Sequence, residues 1–261
     1  MRNQIGEADL LKSLHIKGDP LILFNIWDAG SAKAMQEIGA KVIGTSSWSI
    51  AAAHGYNDGE KLPYDLVLAN LRRIIASVNL PVTIDLEGGY GKTTSEVKQT
   101  VTKVIEAGVV GINFEDQIIG GENLYSIEEQ CSRIKAVREA AELMSISLFI
   151  NARTDIFLKA DFTNHNDSHI GEAIQRAIAY AESGANGFFV PGLNEIKNIE
   201  KLCRLSPIPI NIMVLSEHPT AKKLAELGVA RISYGPRPYC LDINALKEAG
   251  CLALSNNHST K

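Results

Sequence analysis

Short apolar runs alternate with longer amphipathic segments along the whole chain. The runs are rich in β-branched residues and show no alternation of apolar and polar positions, which predicts strands covered on both faces. Eight strands are predicted, over residues 21–25, 41–45, 82–85, 110–114, 147–151, 187–190, 209–213 and 231–234. The segments between them have a helical period and predict helices over residues 31–38, 64–78, 95–106, 126–143, 170–183, 195–205 and 220–227.

A glycine and a small apolar residue join several predicted helices to the next strand. This join recurs at Gly39, Gly108, Gly184 and Gly228. A glycine just past the last periodic position is a common end of a helix. Eight strand–helix units predict an α/β protein with a single (β/α)8 TIM-type barrel. We expect the barrel, with a short N-terminal helical extension, to occupy residues 1–254 and a disordered tail to occupy residues 255–261.

A doubly wound open sheet is the alternative architecture. Its first turn would carry a Gly-x-Gly-x-x-Gly fingerprint. Residues 25–30 read Asn-Ile-Trp-Asp-Ala-Gly and lack it, which favours the barrel. After the last strand, one further helix is predicted over residues 243–249.

Composition narrows the class of protein. The chain has 261 residues, 45% of them hydrophobic, and 26 basic against 30 acidic side chains give a net charge of −4. This balance favours binding to neither nucleic acid nor an anionic membrane. No apolar run approaches the ~18 residues of a membrane span. The first residues lack the layout of a signal peptide, and the 4 cysteines form no Cys-x-x-Cys pair. We therefore expect a cytoplasmic protein without nucleic-acid or membrane partners.

Polar side chains follow most of the predicted strands, at the end of a barrel where catalytic residues lie. These residues are Asn25, Ser46, Ser47, Asp85, Glu115, Arg153, Asn211 and Ser233. For Asn25 and Ser233, ordinary turn chemistry is an equally good explanation. Trp48 follows the second strand and fits either the wall of a pocket or the core.

Carboxylates are concentrated at this end. Asp85 and Glu87 are two residues apart and share one side of an extended segment. Glu115 follows the neighbouring strand, and Asp58 lies in the loop after the second strand. Several carboxylates at one barrel mouth repel each other unless a cation lies among them. Oxygen ligands alone favour a hard ion, Mg²⁺ or Mn²⁺, whereas a carboxylate on its own usually caps a helix or forms a salt bridge.

Two further features bear on ligand class. Arg153 ends an apolar strand, where its guanidinium can bind a substrate carboxylate or phosphate, or pair with the nearby acids. The glycine-rich segment 88–93 resembles a phosphate-binding loop, but that motif needs glycine at position 86, where the chain has Leu86. Nucleotide hydrolysis is therefore not expected.

Seven short motifs are specific when taken together, although each alone is a weak signal. Residues 25–29 read Asn-Ile-Trp-Asp-Ala, residues 45–47 read Thr-Ser-Ser, and residues 55–59 read Gly-Tyr-Asn-Asp-Gly. Residues 85–91 read Asp-Leu-Glu-Gly-Gly-Tyr-Gly, and residues 111–116 read Gly-Ile-Asn-Phe-Glu-Asp. Residues 151–155 read Asn-Ala-Arg-Thr-Asp, and residues 190–192 read Val-Pro-Gly. From about residue 21 to 250, the chain resembles the isocitrate lyase and phosphoenolpyruvate mutase superfamily, and in particular its small bacterial branch.

The resemblance implies a barrel of the phosphoenolpyruvate/pyruvate-binding type, which binds Mg²⁺ and a 2-oxo carboxylate and stabilises an enolate. Asp85 corresponds to the metal carboxylate, with Asp58, Glu87 and Glu115 acting directly or through water. Ser46 and Ser47 match the segment that holds the substrate carboxylate and ketone oxygen, largely by backbone amides. The residues expected to bind substrate are Asn25, Ser46, Ser47, Trp48, Arg153 and Asn211, and those expected to be catalytic are Ser46, Glu115 and Arg153.

The loop at residues 117–126 departs from the family pattern. Lyases of the family carry a Lys-Lys/Arg-Cys-Gly-His motif there, and mutases carry a lysine and an Asn-Ser pair. Here the loop reads Gln-Ile-Ile-Gly-Gly-Glu-Asn-Leu-Tyr-Ser. Glu122, Asn123 and Tyr125 are the substitute proton donors that it offers. Pro191 and Gly192 stand where phosphonate-handling members often place a histidine.

Three hypotheses remain open. The first is a Mg²⁺-dependent lyase or hydrolase that cleaves a C–C or P–C bond in a small 2-oxo or 2-hydroxy carboxylate. The second is a phosphoenolpyruvate mutase-like or phosphonopyruvate hydrolase activity. The third is a non-catalytic protein that binds 2-oxo acids. The resemblance also implies a homo-oligomer, a dimer or a tetramer.

Overall fold

Eight parallel strands form the centre of the molecule in a computed structural model that describes residues 3–160, 165–214 and 219–256. The strands are β1 (Leu21–Leu23), β2 (Ile43–Gly44), β3 (Val82–Asp85), β4 (Gly111–Glu115), β5 (Phe149–Arg153), β6 (Gly187–Phe189), β7 (Ile210–Met213) and β8 (Arg231–Ser233). Each strand pairs with the next in the chain except β1 with β2, and β8 pairs back onto β1. A single bridge between Ile26 and Thr45 joins the remaining two edges. The predicted (β/α)8 barrel is confirmed.

Helices follow the strands around the barrel. They are α1 (Gln4–Ser13), α2 (Ala29–Glu37), α3 (Ser47–Ala53), α4 (Tyr64–Ser77), α5 (Thr94–Ala107), α6 (Ile127–Leu143), α7 (Ile156–Lys159), α8 (Asp167–Glu182), α9 (Ile196–Leu205), α10 (Ala221–Glu226) and α11 (Arg237–Asn256). Within the described part of the chain, no helix is long and apolar enough to cross a membrane.

Helix α1 closes the amino-terminal end of the barrel. Its Leu11 is fully buried, and a Cβ on Gly111 of β4 would come within 2.6 Å of the Leu11 side chain. Glycine at position 111 therefore lets the helix approach the strand. Gln4 donates to the carbonyls of Ile105 and Val109, at 2.8 and 2.9 Å, and fixes the start of α1 on the barrel.

The structure differs from the predicted elements mainly at their ends. Strand β5 extends to Arg153, so this side chain lies within the sheet. The short helices α3 and α7 were not predicted, because segments of seven and four residues carry too few turns to show a period. Helix α11 begins at Arg237 instead of residue 243 and ends at Asn256 instead of residue 249. It ends later than predicted because it continues through Gly250, which in a sequence is an end signal. The tail predicted over 255–261 lies outside the described residues from 257 onward, and its first two residues belong to α11.

Candidate active site

A cavity of about 170 Å³ opens at the carboxyl ends of the strands. It is lined by Asn25, Thr45, Ser46, Ser47, Trp48, Asp58, Asp85, Asn113, Arg153, Leu158, Phe189, Met213, Gly235 and Pro236. The position at the strand ends is where barrel enzymes carry their active sites. Two larger depressions of about 380 and 620 Å³ lie elsewhere, beside β1 and α2, with largely apolar walls. The smaller cavity is therefore the candidate active site, because it alone of the three combines carboxylates with a guanidinium.

Asp85 ends β3 and has one occupied and one free carboxylate oxygen. Its Oδ2 accepts from the backbone N–H and the hydroxyl of Ser47, at 3.2 and 2.9 Å. Its Oδ1 is buried and has no hydrogen-bond partner. A buried carboxylate oxygen without a donor is costly unless a ligand or water completes it. This oxygen is therefore the best available ligand for a cation in the cavity.

Asp58 brings a second carboxylate to the same wall. Burial raises the pKa of the Asp58 carboxyl, and the charge of Asp85 raises it further. Among residues 3–160, 165–214 and 219–256, this wall included, no three His, Cys, Asp or Glu side chains group in a way that could hold a metal ion by themselves. A site of two carboxylates still fits Mg²⁺, which usually binds one or two and keeps several waters.

Glu87 was a candidate metal ligand, and its oxygens are already occupied. Its Oε2 accepts from the backbone N–H groups of Gly59 and Glu60, at 2.8 and 2.7 Å, and its Oε1 accepts from the Tyr90 hydroxyl at 3.0 Å. Burial and then the charge of Asp58 raise the pKa of Glu87 to about 7. Glu87 thus holds in place the loop that carries Asp58.

Three non-glycine residues with left-handed backbone geometry lie where the loop that carries Asp58 contacts the loop after β3. Glu60, Glu87 and Tyr90 have φ values of 56°, 51° and 51°. The Tyr90 backbone N–H donates to Glu60 Oε1 at 2.7 Å, which ties their loops together. Such geometry costs energy and tends to occur where function requires it. The sequence did not indicate the contact between Glu60 and Tyr90, because single-residue backbone conformations leave no periodic signal.

Arg153 and Glu115 form a buried ion-pair cluster at the end of β4 and β5. Arg153 Nη1 lies 2.9 Å from Glu115 Oε2, and its Nε and Nη2 donate to the two oxygens of Asp155 at 2.6 and 2.9 Å. Burial opposes the charge of Arg153, but the two carboxylates outweigh it and raise its pKa, so the side chain stays cationic. A guanidinium has five N–H donors, which leaves two for a ligand in the cavity.

Two of the candidate substrate-binding residues, Asn25 and Ser46, form their hydrogen bonds with the protein around the cavity. Asn25 lines the cavity, but its Nδ2 donates to Thr45 and its Oδ1 accepts from two backbone N–H groups after β8, so it connects the barrel edges. Ser46 caps α3 by accepting from Ser49 N–H at 3.3 Å, and its own N–H donates to Ile26. Both residues hold the wall in shape.

Asn211 lies below the cavity and does not line it. Its Oδ1 accepts from the Ser233 hydroxyl at 3.2 Å, whereas its buried Nδ2 has no partner. The alternation of side chains along a strand places it inside the barrel, one layer beneath the mouth.

An aromatic group borders the mouth of the cavity. Trp48 is 39% exposed and makes an edge contact with Tyr239, with ring centroids 6.0 Å apart. Tyr239 makes a closer edge contact with Trp27, at 5.3 Å. The start of α11 thus packs over the cavity wall. Tyr239 could not be identified beforehand, because nothing local links this helix to the second strand.

The loop at 117–126 is anchored at its base by a buried cluster. Asp116 Oδ2 accepts from Arg176 Nη1 at 3.1 Å and from the Tyr180 hydroxyl at 2.9 Å. The Tyr125 ring lies 4.4 Å from the Arg133 guanidinium and is turned toward α6. None of the substitute proton donors suggested by the sequence, Glu122, Asn123 and Tyr125, lines the cavity.

With this geometry established, comparison with known proteins identifies the class. The model of the phosphoenolpyruvate phosphomutase family matches residues 11–251, and the chain belongs to this family. The 2-methylisocitrate lyase of Escherichia coli is 29% identical over 202 residues, which are 74% of this chain and 65% of that one. The protein is therefore an enzyme of the isocitrate lyase and phosphoenolpyruvate mutase superfamily, whose members include lyases, mutases and hydrolases.

Solved structures agree on the fold. A crystal structure from Burkholderia cenocepacia J2315, provisionally described as a phosphonomutase, has a TM-score of 0.92 and 42% identity, and the match covers 97% of this chain and 100% of that one. A phosphonopyruvate hydrolase solved with oxalate and Mg²⁺ has a TM-score of 0.84 over 96% of this chain and 88% of its own. At 20% identity, the second comparison shows the shared fold alone.

Proposed function

We propose that the protein is a Mg²⁺-dependent lyase or hydrolase that cleaves a C–C or P–C bond in a small 2-oxo or 2-hydroxy carboxylate. One observation supports this most strongly: Asp58, Asp85 with its free Oδ1, and the Arg153 cation line one small cavity. Carboxylates on one side suit a divalent cation, and a guanidinium suits the carboxylate of a substrate. A volume of about 170 Å³ favours a small substrate.

Asp85, through Oδ1, and Asp58 are the residues that would hold Mg²⁺, and Mn²⁺ has the same preference for oxygen ligands. When bound, such an ion supplies positive charge that stabilises an oxyanion or enolate of the substrate. Ser47 restrains the other oxygen of Asp85, and Glu87 holds the loop of Asp58. Both carboxylates are thereby oriented before any ligand enters, which favours rate enhancement by preorganisation.

Arg153 binds the substrate carboxylate with its remaining N–H groups in this proposal. Glu115 and Asp155 hold three of its donors, fix the plane of the guanidinium and keep it charged. Trp48 borders the mouth and limits water near the reacting bond. Ser46 contributes as the cap of α3, by which it keeps Ser47 against Asp85.

A protein that binds 2-oxo acids without turnover is the second candidate. It is favoured by two observations: the Tyr125 ring is turned toward Arg133, and neither Glu122 nor Asn123 lines the cavity. A lyase of this family needs a proton donor or acceptor near the bond that breaks. A binding protein does not.

A coupled assay distinguishes the two candidates. Oxaloacetate, phosphonopyruvate, methylisocitrate, isocitrate and alkylated malates are incubated with the protein, Mg²⁺, lactate dehydrogenase and NADH. Loss of NADH reports release of pyruvate or glyoxylate, after subtraction of the spontaneous decay of oxaloacetate. We expect turnover of at least one substrate that EDTA abolishes. If no substrate is consumed, either in the coupled assay or by NMR of the same mixtures, while oxalate and Mg²⁺ together raise the melting temperature, the binding protein is correct and the enzyme proposal is wrong.

A further inference from the structure

A layer of polar side chains adjoins the floor of the cavity inside the barrel. Asn113 on β4, Asn151 on β5 and Arg231 on β8 belong to this layer and are buried. Arg231 is only 1% exposed, and in the part of the chain that the structure describes it forms no ion pair with a carboxylate. A buried cation without such a partner is costly. Its retention here points to a role in the site above it.

Asn113 connects this layer to the cavity. Its Oδ1 accepts from Asn151 Nδ2 at 2.9 Å and from Arg231 Nη2 at 3.1 Å. A carbonyl oxygen has two acceptor positions, so both are filled. Asn113 also lines the cavity together with Asp85 and Arg153. The Nδ2 group, which lies on the other side of the amide from Oδ1, is therefore left for the cavity.

The orientation of this amide is fixed by chemistry. The oxygen and nitrogen of an asparagine look alike, and only their partners distinguish them. A guanidinium has donors and no acceptor, so the side of Asn113 that meets Arg231 must be the oxygen. Ser233 accepts from Arg231 Nε at 3.2 Å and holds the guanidinium in its place.

We propose that Asn113 is a further substrate-binding residue, whose side-chain N–H donates to a carboxylate or enolate oxygen in the cavity, and that Arg231 is the positioning residue that directs this N–H upward. The inference rests on the proposed function, because it concerns the same cavity and the same class of ligand. It adds a neutral donor on β4 to the cationic donor that Arg153 supplies on β5. A ligand with two neighbouring oxygens can engage both.

Asn113→Asp tests the proposal with almost no change of shape. The variant keeps an acceptor for Asn151 and Arg231 but presents a carboxylate oxygen to the cavity in place of an N–H. The probe is oxalate, titrated by calorimetry at saturating Mg²⁺. We expect the Kd to rise at least tenfold, which corresponds to about 1.4 kcal/mol. Asn113→Leu removes the donor without adding charge, and a rise in Kd is expected there too.

Asn186→Asp is the matched control. Asn186 Oδ1 also accepts from an arginine, Arg138 Nη2 at 2.6 Å, and from a backbone N–H, but it lies before β6 at the opposite end of the barrel. We expect its oxalate Kd to equal that of the wild type. If Asn113→Asp binds oxalate within twofold of the wild type, the inference is wrong and the proposed function is untouched. If the wild type itself does not bind oxalate, both are wrong.

The positioning role of Arg231 is tested separately, by the oxalate affinity of two Arg231 variants. Arg231→Met removes one of the two donors that hold Asn113 Oδ1, which loosens the amide, and is expected to weaken oxalate binding severalfold. Arg231→Lys restores a donor to Asn113 Oδ1 and is expected to recover at least half of the lost affinity on a logarithmic scale. A merely structural role would change the melting temperature of the two variants without this order of affinities. Equal oxalate affinity in Arg231→Met and the wild type would overturn the assignment.

Discussion

At the scale of single residues, the two carboxylate oxygens of Asp85 differ in their hydrogen-bond partners, and this difference determines which oxygen a ligand can use. Oδ2 is held by Ser47, and Oδ1 is buried without a donor. By contrast, each oxygen of Glu87 has a protein partner. Carboxylates that look equivalent in the sequence are therefore unequal in the structure. One is available to a ligand, and the other supports the loop that carries Asp58.

His15 gives a residue-scale prediction about pH. Its ring stacks on Phe149 with centroids 3.9 Å apart, and burial, followed by the charge of Arg231, lowers its pKa to about 3. The folded protein keeps His15 neutral, whereas the unfolded chain binds a proton near pH 6.5. As the pH falls below 6.5, the unfolded state gains this proton and the fold loses stability, by about 1.4 kcal/mol at pH 5.5.

His15→Gln isolates this effect. Urea unfolding of the wild type and the variant is measured at pH 7.5 and pH 5.5. The difference in free energy of unfolding between the two proteins is expected to shift by about 1.4 kcal/mol in favour of the variant at the lower pH. A difference that does not change with pH would show that His15 titrates normally in the folded protein.

At the scale of elements, the short helix α3 joins the wall of the cavity to Asp85. Ser46 caps this helix, and Ser47, its first residue, contacts Asp85. We predict that Ser46→Ala lowers the free energy of unfolding by about 1 kcal/mol, the usual cost of a lost cap. We also expect it to weaken oxalate binding, because Ser47 loses its restraint.

Thr93→Ala provides the comparison for this prediction. Thr93 caps α5 in the same way, with Glu96 as its partner, and does not line the cavity. A similar loss of stability with unchanged oxalate affinity is expected. If Ser46→Ala also leaves the affinity unchanged, Ser46 is a cap alone and has no part in the site.

At the scale of the whole molecule, helix α11 contacts the cavity wall near its start, through Tyr239, and lies largely in solvent beyond that residue. From residue 240 to 255 no side chain is buried, and Leu246, Leu252 and Leu254 are 66%, 67% and 70% exposed. An isolated helix that presents leucines to water is marginal without a partner. Ile22 on β1 and Phe24, directly after that strand, are also exposed. We propose that the chain is a homo-oligomer in which α11 packs against another copy.

Light scattering coupled to size-exclusion chromatography tests the oligomer. The wild type is expected to elute with the mass of a dimer or a tetramer. The double variant Leu246→Ser, Leu252→Ser is expected to elute as a monomer, because it removes the apolar surface without touching the cavity. A wild type of monomer mass at micromolar concentration would contradict the proposal.

The pattern of apolar and polar positions was sufficient to predict the barrel and the end of the barrel at which the site lies. Fully buried strands and periodic helices are local signals. Asp85 and Arg153 follow from where those strands end, and Asp58 was found as a carboxylate in the loop after the second strand. Local pattern did not reveal the loop contact of Glu60 with Tyr90, which depends on backbone angles. Nor did it reveal Asn113, because a polar residue inside an apolar strand gains its meaning only from the neighbouring strand. Tyr239 depends on packing between distant segments.

We propose that Asp85 and its free oxygen make the cavity a Mg²⁺-dependent catalytic site. The decisive measurement is the turnover of the substrate found in the coupled assay, for the wild type and Asp85→Asn at saturating Mg²⁺. Asparagine keeps an acceptor for Ser47, so circular dichroism is expected to be unchanged. We predict that turnover falls by at least about 100-fold, which corresponds to about 2.7 kcal/mol. A folded Asp85→Asn variant with wild-type turnover would contradict the account.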